Sequence, residues 1–139
     1  IANKKKIKTI TALAGRKTND KMEFFVLDKF KKFIKEKKII NKKHKILIVG
    51  LSYKYGVADM RNSLNFKIYN KIKNNFNNTF YFDPFVNIDN SINSFNNNII
   101  KFFDVVIFLS KGLKFKQLYN KFILKNPIYI LDPFYYYAK

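Results

Sequence analysis

Apolar positions along this chain recur with two periods that alternate. Met22, Val26, Phe30 and Phe33, with Phe25 and Ile34 beside them, fall three and four residues apart, the spacing of one face of a helix. Asp28, three and four residues before Lys31 and Lys32, adds weak same-face charge pairing. The helical pattern begins near Ile10, after a basic and solvated stretch, IANKKKIKT at 1–9. Around residues 15–20 the sequence AGRKTND interrupts the stripe. A break or bend is expected there, with Asn19 or Asp20 placed to cap the helical segment beyond it. The charged residues at 35–43 should end the helix.

From residue 45 the period changes. Ile46-Leu47-Ile48-Val49 is a run of branched residues of the kind that forms a strand buried on both faces. Gly50 closes it, and a polar loop comes next. Leu64, Ile68, Ile72 and Phe76 then recur every four residues as a helix, stopped by the asparagines at 74–75 and 77–78. Thr79-Phe80-Tyr81-Phe82 is a second strand, ended by Asp83-Pro84 because proline cannot extend the ladder. The asparagine-rich stretch at 87–98 is expected to be a loop with at most one helical turn. Residues 105–109 form a third strand, Gly112 turns the chain into a helix with Phe115, Leu118 and Phe122 inward, and residues 127–131 form a fourth strand, again ended by Asp-Pro.

Strands and helices alternating at these lengths imply parallel pairing with right-handed crossovers. The expected fold is α/β, a three-layer sandwich with a mostly parallel, Rossmann-like sheet, preceded by a long connecting helix. Residues 1–43 then make one part, the basic segment and connecting helix, and residues 44–139 the other, the sheet domain.

Composition narrows the chemistry. The 139 residues contain no cysteine and one histidine, His44, which excludes a disulfide framework, a thiolate metal site and a histidine cluster, so no metal is expected. No apolar run approaches the roughly 20 residues that cross a bilayer, and no signal-peptide pattern is present, so a cytoplasmic location away from membranes is expected. The chain begins at Ile1 and is taken as the C-terminal part of a longer protein. Its net charge of +19 points toward nucleic acid, but of 28 basic residues only Arg16 and Arg61 are arginine. Lysine, asparagine, isoleucine, phenylalanine and tyrosine share A/T-rich codons, and the lysines are scattered, so genome composition accounts for the charge better than a nucleic-acid partner. The same bias gives weight to Arg61, because lysine would serve at most exposed sites.

The loop after the first strand concentrates the remaining candidates. Lys54 can pair with phosphate, Tyr53 can supply a ring and a hydroxyl, and Arg61 can hold phosphate or carboxylate bidentately. Equally, Arg61 can pair with Asp59, and Tyr53 can pack at the sheet edge. Gly50 and Gly56 are six residues apart with Tyr53 and Tyr55 between them, which is not the clustered glycine turn that admits a pyrophosphate, so a whole dinucleotide is not expected here. Asp83, Asp104 and Asp132 read as turn or strand caps, although an acid ending the second strand can also hold a ribose. His44 reads as an exposed bystander. No nucleophile, base and orienting group can be assembled, so no catalytic residue is expected in this chain.

The stretch KILIVGLSYKYGVADMRNS at 45–63 resembles the opening of the C-terminal domain of the nucleotide-sugar 6-dehydrogenases, the UDP-glucose/GDP-mannose dehydrogenase family. AGRKTNDKM at 14–22 resembles that family's connecting helix, YFDP at 81–84 its strand-ending Tyr-Asp-Pro, and DVVIFLS at 104–110 with Phe115 a later strand and helix. YILD at 129–132 resembles its last strand. RNS at 61–63 together with AGRKTND is more similar to the branch acting on UDP-N-acetylglucosamine or UDP-N-acetylmannosamine.

The resemblance implies a two-step, NAD-dependent oxidation of a sugar C6 alcohol to a carboxylate, through an aldehyde and a cysteine thioester. It also implies an N-terminal domain, absent from this chain, that holds NAD, with the cysteine ahead of the connecting helix. Residues 44–139 would bind the UDP-sugar through Tyr53 and Lys54 and close the cleft, Arg61 would reach NAD, and the connecting helix would form a homodimer. Three positions depart from the family pattern: Leu64 stands where a proline is usual, Gly112 where a polar residue or histidine is usual, and Phe134 where a basic residue often comes after the last strand. The last departure keeps open a non-catalytic nucleotide-binding or assembly module derived from such an enzyme, and a basic nucleic-acid-binding domain is the remaining alternative.

Overall fold

The computed structural model describes residues 2–52, 63–86, 97–124 and 128–138, with residues 2–16 and 97 as backbone only. Strands β1 (Ile46–Val49), β2 (Thr79–Phe82), β3 (Val105–Phe108) and β4 (Tyr129–Leu131) form one sheet. Its order is β2-β1-β3-β4 and every pairing is parallel, Ile46 lying opposite both Thr79 and Val105. Helices α1 (Ala2–Glu36), α2 (Leu64–Asn75), α3 (Asn97–Phe102) and α4 (Leu113–Ile123) complete the chain. The expected three-layer α/β sandwich is therefore observed, with a sheet that is parallel throughout.

The two inner strands explain the layers. All four residues of β1 and all four of β3 are fully buried. Because successive side chains leave a strand on opposite faces, Ile46, Ile48, Val105 and Ile107 enter one core and Leu47, Val49, Val106 and Phe108 the other. The first core is closed by Val26 and Phe30 of α1 and by Ile68, Tyr69 and Ile72 of α2. The second is closed by Ile100 of α3 and by Phe115, Leu118, Tyr119 and Phe122 of α4. α2 is short and rich in asparagine, β-branched and aromatic residues, so its own propensity is poor. Its cap, Ser63 Oγ accepting from Phe66 N at 3.3 Å, adds about 1 kcal/mol. Each large apolar side chain that it buries is worth roughly 1.5–3 kcal/mol, so packing decides that this segment is a helix.

One sequence expectation needs correction. α1 runs unbroken from Ala2 to Glu36, so the basic residues 2–9 are helical and the helix does not break at 15–20. A mid-helix glycine costs about 1 kcal/mol relative to alanine, which is too little to break a helix of 35 residues. Docking of its second half supplies more: Phe30 meets the Phe76 ring edge-on at 5.5 Å, and Glu23, 8% exposed, is ion-paired with Lys71 of α2. α3 runs from Asn97 to Phe102 and overlaps the asparagine-rich stretch only at residues 97–98, where the sequence allowed a helical turn. Burial of Ile100 and Phe103 holds it down, and the run of asparagines masked those apolar anchors; residues 87–96 lie outside the described residues. Among the described residues no helix is long and apolar enough to cross a membrane.

Candidate functional site

From β1 the chain passes through α2 to β2 on one side, then returns to β3 on the other. The carboxyl ends of β1 and β3 are therefore where the connections diverge, the place where open α/β sheets bind ligands. Gly50 ends β1 there with φ of 90°, a conformation that favours glycine, and donates its N–H to Phe82 O at 2.9 Å. A Cβ on residue 50 would lie 2.4 Å from Cβ of Ser110, two residues beyond the end of β3. Asn65, in the first turn of α2, spans the same gap, its Nδ2 donating to Ser110 Oγ at 2.9 Å and to Leu109 O at 3.2 Å.

Above this closure lies a cavity of about 340 Å³. Ser52, Ser63 and Asn65 wall it from the β1 side, Ser110 and Lys111 from the β3 side, Phe134 and Tyr136 from beyond β4, and Asn19 and Met22 of α1 cover it. Lys111 and Tyr136 also line an adjoining cavity of about 510 Å³ at the start of α4. Among the described residues, Lys111 is the one charged residue in the wall of the first cavity. Hydroxyls, amides, an ammonium and two aromatic rings suit an anionic, hydroxyl-rich ligand with a flat ring. Burial, with the Asp132 carboxylate adding to it, holds the Tyr136 hydroxyl above its ordinary pKa. A groove of about 640 Å³ between α1 and α2 is larger, but apolar side chains such as Phe24, Leu27 and Phe30 dominate its walls.

The aspartates act as caps, two of them beyond their own turn. Asp83 bonds Phe85 N in its own turn and also Leu51 N, Ser52 N and Ser52 Oγ at the β1 exit. Asp104 accepts from Lys45 N at 2.8 Å, joining the starts of β1 and β3. Asp132 accepts from the backbone of Tyr136, Tyr137 and Ala138, and so shapes the segment that presents Tyr136. His44 is half-buried and its Nδ1 faces both N and O of Ile40. Gly112 starts α4 with its N–H given to Tyr137 Oη at 3.0 Å, and that hydroxyl donates to Ser110 O at 2.7 Å.

Tyr53, Lys54 and Arg61, with Gly56 and Asp59, lie outside the described residues. Their neighbours in the chain, Ser52 and Ser63, are both in the cavity wall. Phe134, which stands where the family often has a cation, is in that wall too, 6.2 Å from the Phe25 ring. Sequence reasoning missed Asn65, Ser110 and Lys111; a polar residue just past a buried strand's carboxyl end was the available signal. The described residues do not fit a whole NAD. The open side of Gly50, where a pyrophosphate would approach, is filled by Ser110. No group of acids and histidines suited to a metal occurs among the described residues.

The model of the UDP binding domain of the UDP-glucose/GDP-mannose dehydrogenase family matches residues 47–138. Among solved structures, the native form of the UDP-N-acetyl-mannosamine dehydrogenase from Staphylococcus aureus is 27% identical with a TM-score of 0.66, over 90% of this chain and 30% of that one. A derivative structure of that enzyme is 26% identical, with the same TM-score, over 90% of this chain and 29% of that one. A UDP-D-N-acetylmannosamine dehydrogenase from Pyrococcus horikoshii, 22% identical with a TM-score of 0.57 over 70% of this chain and 22% of that one, shares the fold. This chain thus spans under a third of the length of these structures. No curated protein sequence matches it.

Proposed function

The chain belongs to the UDP-glucose/GDP-mannose dehydrogenase family as its UDP-binding domain, and from that premise we propose that it serves an NAD-dependent UDP-sugar 6-dehydrogenase. Residues 44–139 bind the UDP-sugar and close the cleft over it. Tyr53 and Lys54 contact the substrate, and Arg61 reaches NAD held by an N-terminal domain. Residues 1–43 connect the domains and form the homodimer. The substrate is a UDP-N-acetylhexosamine, in keeping with the names of the similar solved enzymes.

The observation that carries this reading is the polar cavity at the β1/β3 divergence. Its walls include Ser52 and Ser63, which bracket the stretch holding Tyr53, Lys54 and Arg61. NAD is not assigned to the described residues, and this chain's part is to bind and orient the sugar nucleotide. Phe134 in the cavity wall supports a second reading, a nucleotide-binding module without catalysis, because an aromatic ring cannot replace a cation against phosphate. The whole protein, given NAD and UDP-N-acetylmannosamine or UDP-N-acetylglucosamine, should form two NADH per sugar carboxylate. UDP binding without NADH formation supports the second reading, and binding of no UDP-sugar contradicts both.

A further inference from the structure

Asp83 stands at the end of β2, yet most of its hydrogen bonds serve a different strand. It is 5% exposed, and Oδ2 accepts from Leu51 N, Ser52 N and Ser52 Oγ, each at 2.9 Å. Oδ1 accepts from Phe85 N at 3.0 Å. A buried carboxylate of this kind needs a full set of donors, and these four provide it. The far end of the same connection is also held: Ser63 Oγ donates to the carbonyl of Leu51 while accepting from Phe66 N. Leu51 is therefore gripped through its N–H by Asp83 and through its C=O by Ser63.

We infer that Asp83, with Ser63, is a positioning residue for the nucleotide-sugar site. The two side chains form a clasp that sets where the backbone leaves the sheet at Ser52 and where it re-enters α2 at Ser63, the two residues that wall the cavity. An aspartate before proline ordinarily caps its own turn, and Oδ1 does so here. The three bonds to Oδ2 come from residues 31 and 32 positions earlier and have no part in that turn. Asparagine cannot replace this arrangement. Its single carbonyl oxygen can face either Leu51 and Ser52 or Phe85, and its amide would then press donors against the other side. The ligand's identity rests on the proposed function, whereas the clasp rests on its own hydrogen bonds.

The test compares wild type, Asp83→Asn, Ser52→Ala and Ser63→Ala in the full 139-residue chain, by hydrogen-exchange mass spectrometry and by titration with UDP, using uridine as the control. Asp83→Asn should raise exchange at 50–52 and 63 at least tenfold and weaken UDP at least tenfold, with β1 and α4 exchange changed less and the melting temperature lowered. Ser52→Ala, which keeps both backbone donors, should do less. Unchanged exchange at 50–52 in Asp83→Asn overturns the clasp. Altered exchange with unaltered UDP affinity overturns its role in the site. Should Asp83→Asn unfold, the two serine variants decide the matter by the same local readouts. A wild-type chain that ignores UDP removes the proposed ligand and the substrate role with it, while the exchange data still decide the clasp.

Discussion

Gly50 and Ser110 face each other across the divergence of β1 and β3 so closely that a Cβ on residue 50 would sit 2.4 Å from that of Ser110. The contact joins the exits of the two central strands beside the cavity, which Ser110 helps to wall. Gly50 also has φ of 90°, where a side chain is strained. Gly50→Ala should therefore lose about 2–4 kcal/mol of stability, from strain and overpacking together. Urea unfolding measures this, and a loss near zero would mean that the two strand exits can part without cost.

Phe30 tests whether α1 is a structural part of the domain. Its side chain is 4% exposed and lies in the same core as β1, β3 and α2. Phe30→Ala should cost about 3–5 kcal/mol, the range for a buried phenylalanine. A connecting helix that only leaned on the sheet would show a small fraction of that. Thermal or urea melts distinguish the two.

The Tyr136 hydroxyl gives a dependence on pH. Burial first, and the Asp132 carboxylate second, raise its pKa in the folded chain. A group whose folded pKa lies above its unfolded value contributes stability that is complete below the unfolded pKa and is lost as pH rises through the folded one. Stability should therefore fall as pH rises above about 10, the ordinary tyrosine value. Tyr136→Phe should shrink the part of that fall due to this residue, and melts between neutral pH and about pH 11 track it. Identical alkaline limbs in the two proteins would contradict the assignment.

Among the described residues Lys111 is the one charge in the cavity wall, and it should meet the diphosphate. Lys111→Ala should weaken UDP about fivefold or more, as expected for loss of a charge-assisted contact, and flatten the salt dependence of binding. Uridine affinity should change little. Equal losses for UDP and uridine would place the lysine away from the phosphates.

Much of the fold was legible because burial is written plainly in β1 and β3, whose unbroken apolar runs admit hardly any other reading. The helical spacing of Leu64, Ile68 and Ile72 placed α2 equally well. α1 was misjudged at 15–20 because local propensity marks a weak point in a helix but does not measure the docking that carries it through. α3 was only partly legible because asparagines open a short helix whose anchors, Ile100 and Phe103, lie in its second half and just beyond it. The cavity was partly legible. Strand ends located it, and the loop at 45–63 drew attention to its β1 side. Ser110 and Lys111 carry that same strand-end signal after β3, but their importance, like that of Asn65, comes from a strand order that brings β3 beside β1.

The central claim is that the carboxyl edge between β1 and β3 binds the nucleotide of a UDP-sugar. Titration of the isotopically labelled chain with UDP, monitored by amide shifts in NMR, tests it most directly, because millimolar affinity in one half of a site is still visible. Saturable shifts at Ser52, Ser63, Ser110 and Lys111, with Phe24 and Leu27 in the α1–α2 groove unmoved, are the predicted result. No saturable shift at the cavity residues, or the largest shifts in the α1–α2 groove, would contradict it.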